Sequence, residues 1–374
     1  MGSPPEPAGN DVKRFLRTVT ETQGTHLTID GCSLLNFSSN NYLGLARHPQ
    51  VLEGVKQVLE HWGAGATSSR LISGTSVIHQ DLESALAAYV RREAALLFPS
   101  GYMANLGVMT SLAGPGDAVV LDRLCHASLV DAVRLSGARL FVYRHADPED
   151  ADRVLGRAAP YRRRLLVSES LFSMDGDFAP LEALGTVARR HGALSIVDDA
   201  HALGLWETRT EGWTVIIGTL SKSLGAQGGF VAASRDVIDL FVNKARSFIF
   251  TTGLSPLCVA AAQAALSLIQ EDVQAREGVK RLSARLRDGL KILGFDTLVS
   301  QSHIVPIRLG GADNALACAD HLRQAGIFAP AIRPPTVHAG QCRLRFSVTA
   351  EHSEADIDSL LKAMSTLIPR PLLP

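Results

Sequence analysis

A lysine amine and a carboxylate at the end of an apolar run are the groups from which this sequence can build chemistry. Lys222 stands in Gly218-Thr219-Leu220-Ser221-Lys222-Ser223-Leu224-Gly225, a small-residue turn after the apolar run Val215-Ile216-Ile217. Upstream, Val197-Asp198-Asp199-Ala200-His201 closes another apolar run. Lysine most often ends as a solvated loop charge, a fate that explains this setting poorly. An amine paired with a carboxylate suits an aldehyde cofactor: the amine forms a Schiff base with pyridoxal phosphate, and the carboxylate keeps the ring nitrogen protonated. Adjacent residues on a strand point to opposite sides. One aspartate of the doublet therefore faces the cofactor, Asp198 being the better candidate, and His201 can join it. The plain alternative for one such aspartate is a salt bridge.

Three further segments carry residue types that such a cofactor needs. Ser100-Gly101-Tyr102-Met103-Ala104-Asn105 follows an apolar run, and its glycine lets the backbone turn into a helix whose free N–H groups can bind a phosphate. Most such turns are only helix starts. Thr219 can add a hydroxyl to the same phosphate or act as a plain turn residue. His126, in Leu124-Cys125-His126-Ala127-Ser128, can stack on a flat aromatic ring; otherwise it is a satisfied buried histidine. Cys125 makes a poor thiol partner for it, because sequence neighbours rarely face each other. In Glu169-Ser170-Leu171-Phe172-Ser173-Met174-Asp175-Gly176-Asp177, Ser173 can reach a ring oxygen and Gly176 closes the turn. Asp175 and Asp177 fit ordinary turn chemistry.

The elements that must position these groups can be read from the apolar pattern. Short apolar runs at 94–98, 118–121, 140–143, 165–168, 194–197, 215–217 and 230–233 alternate with helix-length segments such as 102–113, 128–136 and 181–191. Buried strands joined by helices predict an α/β fold with a mostly parallel sheet covered on both faces. Ligands in such sheets bind at the carboxyl ends of strands, where these motifs fall. After Pro256 the pattern changes to a long helical stretch, 256–293, followed by mixed segments at 303–309, 315–324, 327–332, 343–348 and 357–367. The expected layout is an N-terminal arm (1–45), a large cofactor-binding domain (46–270) and a smaller α+β domain (271–374).

Bulk properties exclude several other classes. The 374 residues carry 37 lysines plus arginines against 37 acids, so no charge imbalance argues for nucleic acid or an anionic membrane. Five scattered cysteines without a C-x-x-C read as reduced core thiols in a cytoplasmic protein. The start, Met-Gly-Ser-Pro-Pro-Glu-Pro, has no signal-peptide character, and the first ten residues read as a disordered leader. No apolar run approaches the ~20 residues of a membrane span, and neither dinucleotide-binding nor Walker glycine motifs occur.

Jointly, Thr-Leu-Ser-Lys-Ser-Leu-Gly, Val-Asp-Asp-Ala-His, Glu-Ser-Leu-Phe-Ser-Met-Asp-Gly-Asp and Asn36-Phe37-Ser38-Ser39-Asn40-Asn41-Tyr42-Leu43-Gly44-Leu45 resemble the α-oxoamine synthases. These are fold-type I pyridoxal phosphate enzymes, and the likeness runs from about residue 14 to 367. Ala331-Ile332-Arg333-Pro334-Pro335-Thr336-Val337 and Arg343-Leu344-Arg345 are most similar to the 8-amino-7-oxononanoate synthase branch. The resemblance implies that Lys222 carries the cofactor, Asp198 pairs with its pyridine nitrogen, His126 stacks on its ring, and Ser173 and His201 contact its phenolic oxygen. It places Gly101, Tyr102 and Thr219 at the phosphate, Asn40 and Arg345 on the amino-acid carboxylate, and Arg14 and Thr336 near the acyl substrate. Thr251 and Thr252 would complete the phosphate site of a partner subunit, making the active unit a homodimer. Two departures stand out. Segment 203–213 is shorter than usual and lacks a Gly-Arg-Gly sequence, and His338 follows Thr336-Val337 where proline is usual. Both bear on the acyl entrance.

What the resemblance implies chemically is a decarboxylating condensation of an amino acid, L-alanine, with an acyl thioester, pimeloyl-CoA or a pimeloyl carrier protein. The lysine freed by the amino acid then removes the α-proton. Other readings are a homologue that takes glycine or another acyl thioester, an aminotransferase or aldolase on the same fold, and an inactive partner subunit. Retention of Lys222, Asp198 and His126 argues against the last.

Overall fold

The N-terminal strands β1 (Val19–Gln23), β2 (His26–Ile29) and β3 (Cys32–Asn36) form an antiparallel meander, which the apolar pattern did not reveal. Helices α1 (Pro49–Trp62) and α2 (Val77–Tyr89) precede a run of alternating elements. These are β4 (Ala94–Phe98), α3 (Gly101–Leu112), β5 (Ala118–Asp122), α4 (Ala127–Ser136), β6 (Arg139–Tyr143), α5 (Pro148–Arg157), β7 (Arg164–Glu169), α6 (Leu181–Arg190), β8 (Leu194–Asp198), β9 (Val215–Thr219) and β10 (Gly229–Ala233). Four helices follow: α7 (Arg235–Lys244), α8 (Arg246–Ile249), α9 (Pro256–Glu271) and α10 (Val273–Ile292). The chain then adds β11 (Ile304–Gly310), α11 (Ala312–Gln324), β12 (Ile327–Phe328), β13 (Ala331–Ile332), β14 (Cys342–Ser347) and α12 (Glu354–Ser365). This computed structural model describes residues 14–367, so the expected leader lies outside the described residues. Two units emerge: 14–39 with Met174–Gly176 and 277–367, and Asn40–Ser173 with Asp177–Arg276.

In the larger unit a seven-stranded sheet has the order β4-β10-β9-β8-β7-β5-β6. Strand β10 runs antiparallel to both neighbours, and every other pairing is parallel. Its strands read as unbroken apolar runs because both faces are covered. Val119, Leu121, Leu165, Val167, Ile196, Val215 and Ile217 pack with α3, α4, α7 and α8. The alternate residues Val120, Leu166, Val197 and Ile216 pack with α5 and α6 on the other face. Each such fully buried side chain contributes about 1.5–3 kcal/mol. The period of two fixes what happens at the strand ends. Glu169 and Asp198 continue the series facing α3 and α4, and Ser170 and Asp199 continue the opposite series.

Two expectations for the later elements are corrected. The stretch 256–293 is not one helix. It breaks at Asp272, whose N–H closes α9 on Leu268 O at 2.8 Å while its Oδ1 accepts from Ala275 N at 3.0 Å and starts α10. A side chain that captures a first-turn amide is the ordinary start of a new helix. Segment 327–332 is also two short strands in different sheets, β12 pairing with β3 and β13 with β14, separated by Pro330, which has no N–H to give a ladder. Strands β11, β14 and β13 form one sheet of the smaller unit, and β1, β2, β3 and β12 the other. Leu344 and Phe346 enter that unit's core, which leaves Arg343, Arg345 and Ser347 on the opposite face of β14.

One partly buried ion set pins two loops of the larger unit. His145 Nδ1 lies 3.0 Å from Asp122 Oδ1, and its Nε2 lies 2.8 Å from Asp177 Oδ2. With a carboxylate at each nitrogen, both must donate, so the ring is an imidazolium. Burial alone would lower its pKa, but hydrogen bonds and charge from Asp122 and Asp177 outweigh that and raise it to about 10. Asp122 also accepts from Leu124 N and Ala146 N at 2.8 Å each, and Asp177 O accepts from Phe172 N at 3.0 Å. His145 thus ties the loop leading to His126 to the turn after β7. Because the folded pKa is raised above the ordinary 6.5, this stabilisation is complete below about pH 6.5 and disappears as pH rises through about 10. Thermal midpoints recorded from pH 6 to pH 10 should fall more steeply for the native chain than for His145→Gln, the two curves converging at the alkaline end. Parallel curves would refute the partly buried imidazolium.

Candidate active site

Asp198, at the end of β8, is 7% exposed. Its Oδ2 accepts from Asn105 Nδ2 of α3 at 3.0 Å, and its Oδ1 accepts from Ala200 N at 3.0 Å. Asn105 Nδ2 also donates to Ser128 Oγ at 2.8 Å, and Ser128 Oγ lies 2.7 Å from His126 Nδ1. Ser128 N donates to the same Nδ1 at 3.3 Å, so Nδ1 is an acceptor and the neutral ring carries its proton on Nε2. Burial is the main force lowering the His126 pKa, with Asp198 opposing it and Lys222 adding to it. His126 is the residue that caps the start of α4, which fixes its backbone as well as its ring.

Lys222 lies in a turn that the chain closes tightly on itself. Leu220 N donates to Gly228 O at 3.0 Å, Gly225 N to Lys222 O at 3.0 Å and Ala226 N to Leu220 O at 2.9 Å. Just before it, Thr219 Oγ1 donates to Gly228 O at 3.0 Å and stands 2.8 Å from Ser221 Oγ. The first turn of α3 comes alongside. Ser100 Oγ caps it by accepting from Met103 N at 3.2 Å, and the earlier amides have no partner within the helix. This approach depends on Gly229 of β10, where a Cβ would stand 2.6 Å from Gly101 N.

These groups surround one cavity of about 210 Å³, lined by Gly101, Tyr102, His126, Asp198, His201, Thr219 and Lys222, together with Ser100, Asn105, Ser128, Glu169, Ala200, Gly218 and Ser221. Two larger hollows, of about 930 and 450 Å³, lie along α6 and residues 207–211, and no lysine lines either. Size does not decide between them; the amine and the acid do. The short segment 203–213 borders those larger hollows, with Thr208 Oγ1 donating to Asp199 Oδ1 at 3.0 Å. Ser170 Oγ donates to the same oxygen at 2.5 Å, so Asp199 serves the face of the sheet opposite to Asp198. Burial lifts the Asp199 carboxyl to about 7 against those hydrogen bonds.

The remaining residues singled out from sequence lie outside the cavity lining. Ser173 is buried in the turn after β7. Asn40 meets the site at second hand, the Tyr42 hydroxyl donating to Asn40 Oδ1 at 3.0 Å and lying 2.8 Å from His201 Nδ1. Thr252 bridges to Ser69, and Gly253 N donates to Ser68 O at 2.9 Å, which places 251–252 on a separate loop. In the smaller unit Thr336 N donates to Arg333 O at 3.0 Å, closing a turn, and Arg14 donates to Pro334 O of that turn at 3.0 Å. Arg345 is 9% exposed and donates to Ser347 Oγ at 3.0 Å. Sequence reasoning missed Tyr42, Asn105, Ser128 and Glu169. Each had lain in a quoted motif, but its partner is fixed only by tertiary proximity.

The donor set fits a phosphorylated pyridine aldehyde. It offers an amine, a buried carboxylate, a neutral imidazole, and a helix N-terminus flanked by the hydroxyls of Thr219 and Ser221. Asn105 Oδ1 is also buried without a protein partner, an acceptor beside Asp198 suited to a ring N–H. Among the described residues no helix is long and apolar enough to cross a membrane.

The sequence pattern of the aminotransferase class I and II family matches residues 33–364. The 8-amino-7-oxononanoate synthase of Geobacter sulfurreducens is 43% identical over 366 residues, covering 95% of this chain and 94% of the relative. That of Methylococcus capsulatus is 42% identical over 371 residues, covering 96% of each. A serine palmitoyltransferase from S. paucimobilis, solved with a bound PLP–myriocin aldimine, superposes with a TM-score of 0.91 at 33% identity, covering 94% of this chain and 92% of that one. Site chemistry, sheet topology and sequence agree: the chain belongs to the aminotransferase class I and II family, in its α-oxoamine synthase branch.

Proposed function

We propose that this chain is a pyridoxal phosphate-dependent acyltransferase that condenses L-alanine with a pimeloyl thioester, releasing carbon dioxide and the free thiol to give 8-amino-7-oxononanoate. The observation that carries this reading is the convergence of Lys222, Asp198 and His126 on one cavity; the relatives named above supply the substrate class. When bound, the cofactor supplies a protonated ring that takes up the electron pair released at the amino acid's α-carbon. Asp198 holds the charge of the ring nitrogen, and Asn105 and Ala200 N fix the carboxylate's orientation by the bonds already described. His126, neutral and anchored through Ser128, presents a flat face to the ring. Backbone N–H groups of Gly101 and Tyr102 would receive the phosphate, joined by the Thr219 hydroxyl once its proton turns from Gly228 O to the phosphate. The Lys222 amine holds the cofactor at rest, then removes the α-proton of the amino acid and returns a proton to the product.

His201, oriented by Tyr42, and Ser173 serve the phenolic oxygen. Family resemblance is the support for Asn40 and Arg345 as ligands of the amino-acid carboxylate, and for Arg14 and Thr336 on the acyl side. It is also the support for a cytoplasmic homodimer in which Thr251 and Thr252 reach the phosphate of the partner.

Two experiments test this reading. In D2O without acyl donor, the native enzyme should exchange the α-proton of alanine, followed by NMR, and Lys222→Ala should slow that exchange by about 10²–10⁴-fold, the usual contribution of a positioned acid–base group. Exchange at the native rate in the variant would remove Lys222 from the proton path. Separately, alanine, glycine and serine should be tried against pimeloyl-CoA, pimeloyl carrier protein and palmitoyl-CoA, with carbon dioxide and thiol release scored. Alanine with a pimeloyl donor should turn over fastest. If another pair wins, the product assignment fails while the reaction class stands.

A further inference from the structure

Glu169 has no part in the chemistry above, yet it is the more buried of the two acids that line the cavity. Parallel pairing sets it directly beside Asp198 at the ends of β7 and β8. Both side chains lie on the face toward α3 and α4, 3% and 7% exposed respectively. Glu169 Oε1 accepts from the backbone N–H of His126 at 2.5 Å, and the residue lines the same cavity as Lys222. Two neighbouring buried carboxylates cannot both ionise cheaply. The two acids differ in what supports a negative charge. Asp198 has a side-chain donor on one oxygen and a backbone donor on the other, whereas Glu169 takes the His126 amide on Oε1.

We propose that Glu169 is a positioning residue, held as a neutral carboxylic acid, that fixes His126 through its backbone and leaves Asp198 as the ionised member of the strand-end pair. The charged and titratable groups facing Glu169 agree with this. Burial raises its pKa well above the ordinary value, and Asp198 on β8 and Asp122 on β5 push the same way, against the His126 amide and Lys222. Cys125, in the loop before α4, is pushed up chiefly by burial, so it stays a neutral thiol and adds no charge beside Glu169. A neutral Glu169 matters in two ways. One carboxylate then opposes one ring N–H charge, and His126 keeps the neutral form that its Nδ1 bonds require.

This inference rests on the proposed cofactor site, but its test reads protonation directly. Infrared difference spectra of native protein against Glu169→Gln at neutral pH, with and without pyridoxal phosphate, should show loss of the carbonyl stretch of a protonated carboxylic acid, a band that shifts in D2O. Glutamine keeps the acceptor oxygen and the neutral charge, so Glu169→Gln should retain kcat within about threefold. Glu169→Asp is one methylene short of His126 N and should lose about tenfold in kcat with KM little changed, the scale of one lost hydrogen bond. No protonated-acid band in the difference spectrum, or a Gln variant as slow as the Asp variant, overturns the proposal. A native enzyme inert toward alanine and pimeloyl thioester would sink the reaction assignment instead, leaving the band to stand by itself.

Discussion

A carboxylate carried almost out of water at the end of a strand sets the terms for everything near it. Asp198 is 7% exposed, and desolvating such an ion is costly unless donors and a countercharge surround it. The structure meets that requirement from three directions. Asn105 of α3 and the Ala200 amide bind its oxygens, and Lys222 brings an amine to the same cavity. Ser128 and His126 join through Asn105. The hydrogen-bonded set that makes the ion tolerable is thus the set that would orient a cationic ring over it.

Strand periodicity turns this local demand into an architecture. Because neighbouring side chains leave a strand on opposite faces, the consecutive residues Asp198 and Asp199 serve separate sides of the sheet. One carries the cavity. The other, bound by Ser170 and Thr208, holds the short segment 203–213 on the opposite side. The same rule pairs Glu169 with Asp198 and Ser170 with Asp199 across adjacent strands. Shifting either strand by one residue would exchange the two sets, so the covered faces of the sheet enforce the site's register as well as its burial.

Much of this was legible in the sequence. All seven strands of the large sheet announced themselves as apolar runs; burial demands this of six, and the partly exposed edge strand β6 still carries Leu140-Phe141-Val142-Tyr143. The direction of β10 did not, since nothing in Gly229-Phe230-Val231-Ala232-Ala233 encodes which way a buried strand runs. Strands β1 to β3 escaped notice because they are short and partly exposed, and the break at Asp272 hid within a helical pattern that continues on both sides. Of the cavity lining, Lys222 and Asp198 were singled out from residue type and setting, and His126 through the family resemblance. Asn105 was not: its partner Asp198 lies 93 residues away, and only folding brings the two within hydrogen-bonding distance. Tyr42 hid for the same reason, its partner His201 lying 159 residues away.

The proposed role of Lys222 as the amine that binds the aldehyde cofactor leaves a chemical trace that can be trapped. Borohydride reduction of the enzyme loaded with pyridoxal phosphate, followed by proteolysis and mass mapping, would identify the lysine involved. A single pyridoxyl adduct on the peptide containing Lys222 is expected. An adduct on a different lysine, or none on a protein that retains its activity, would contradict it.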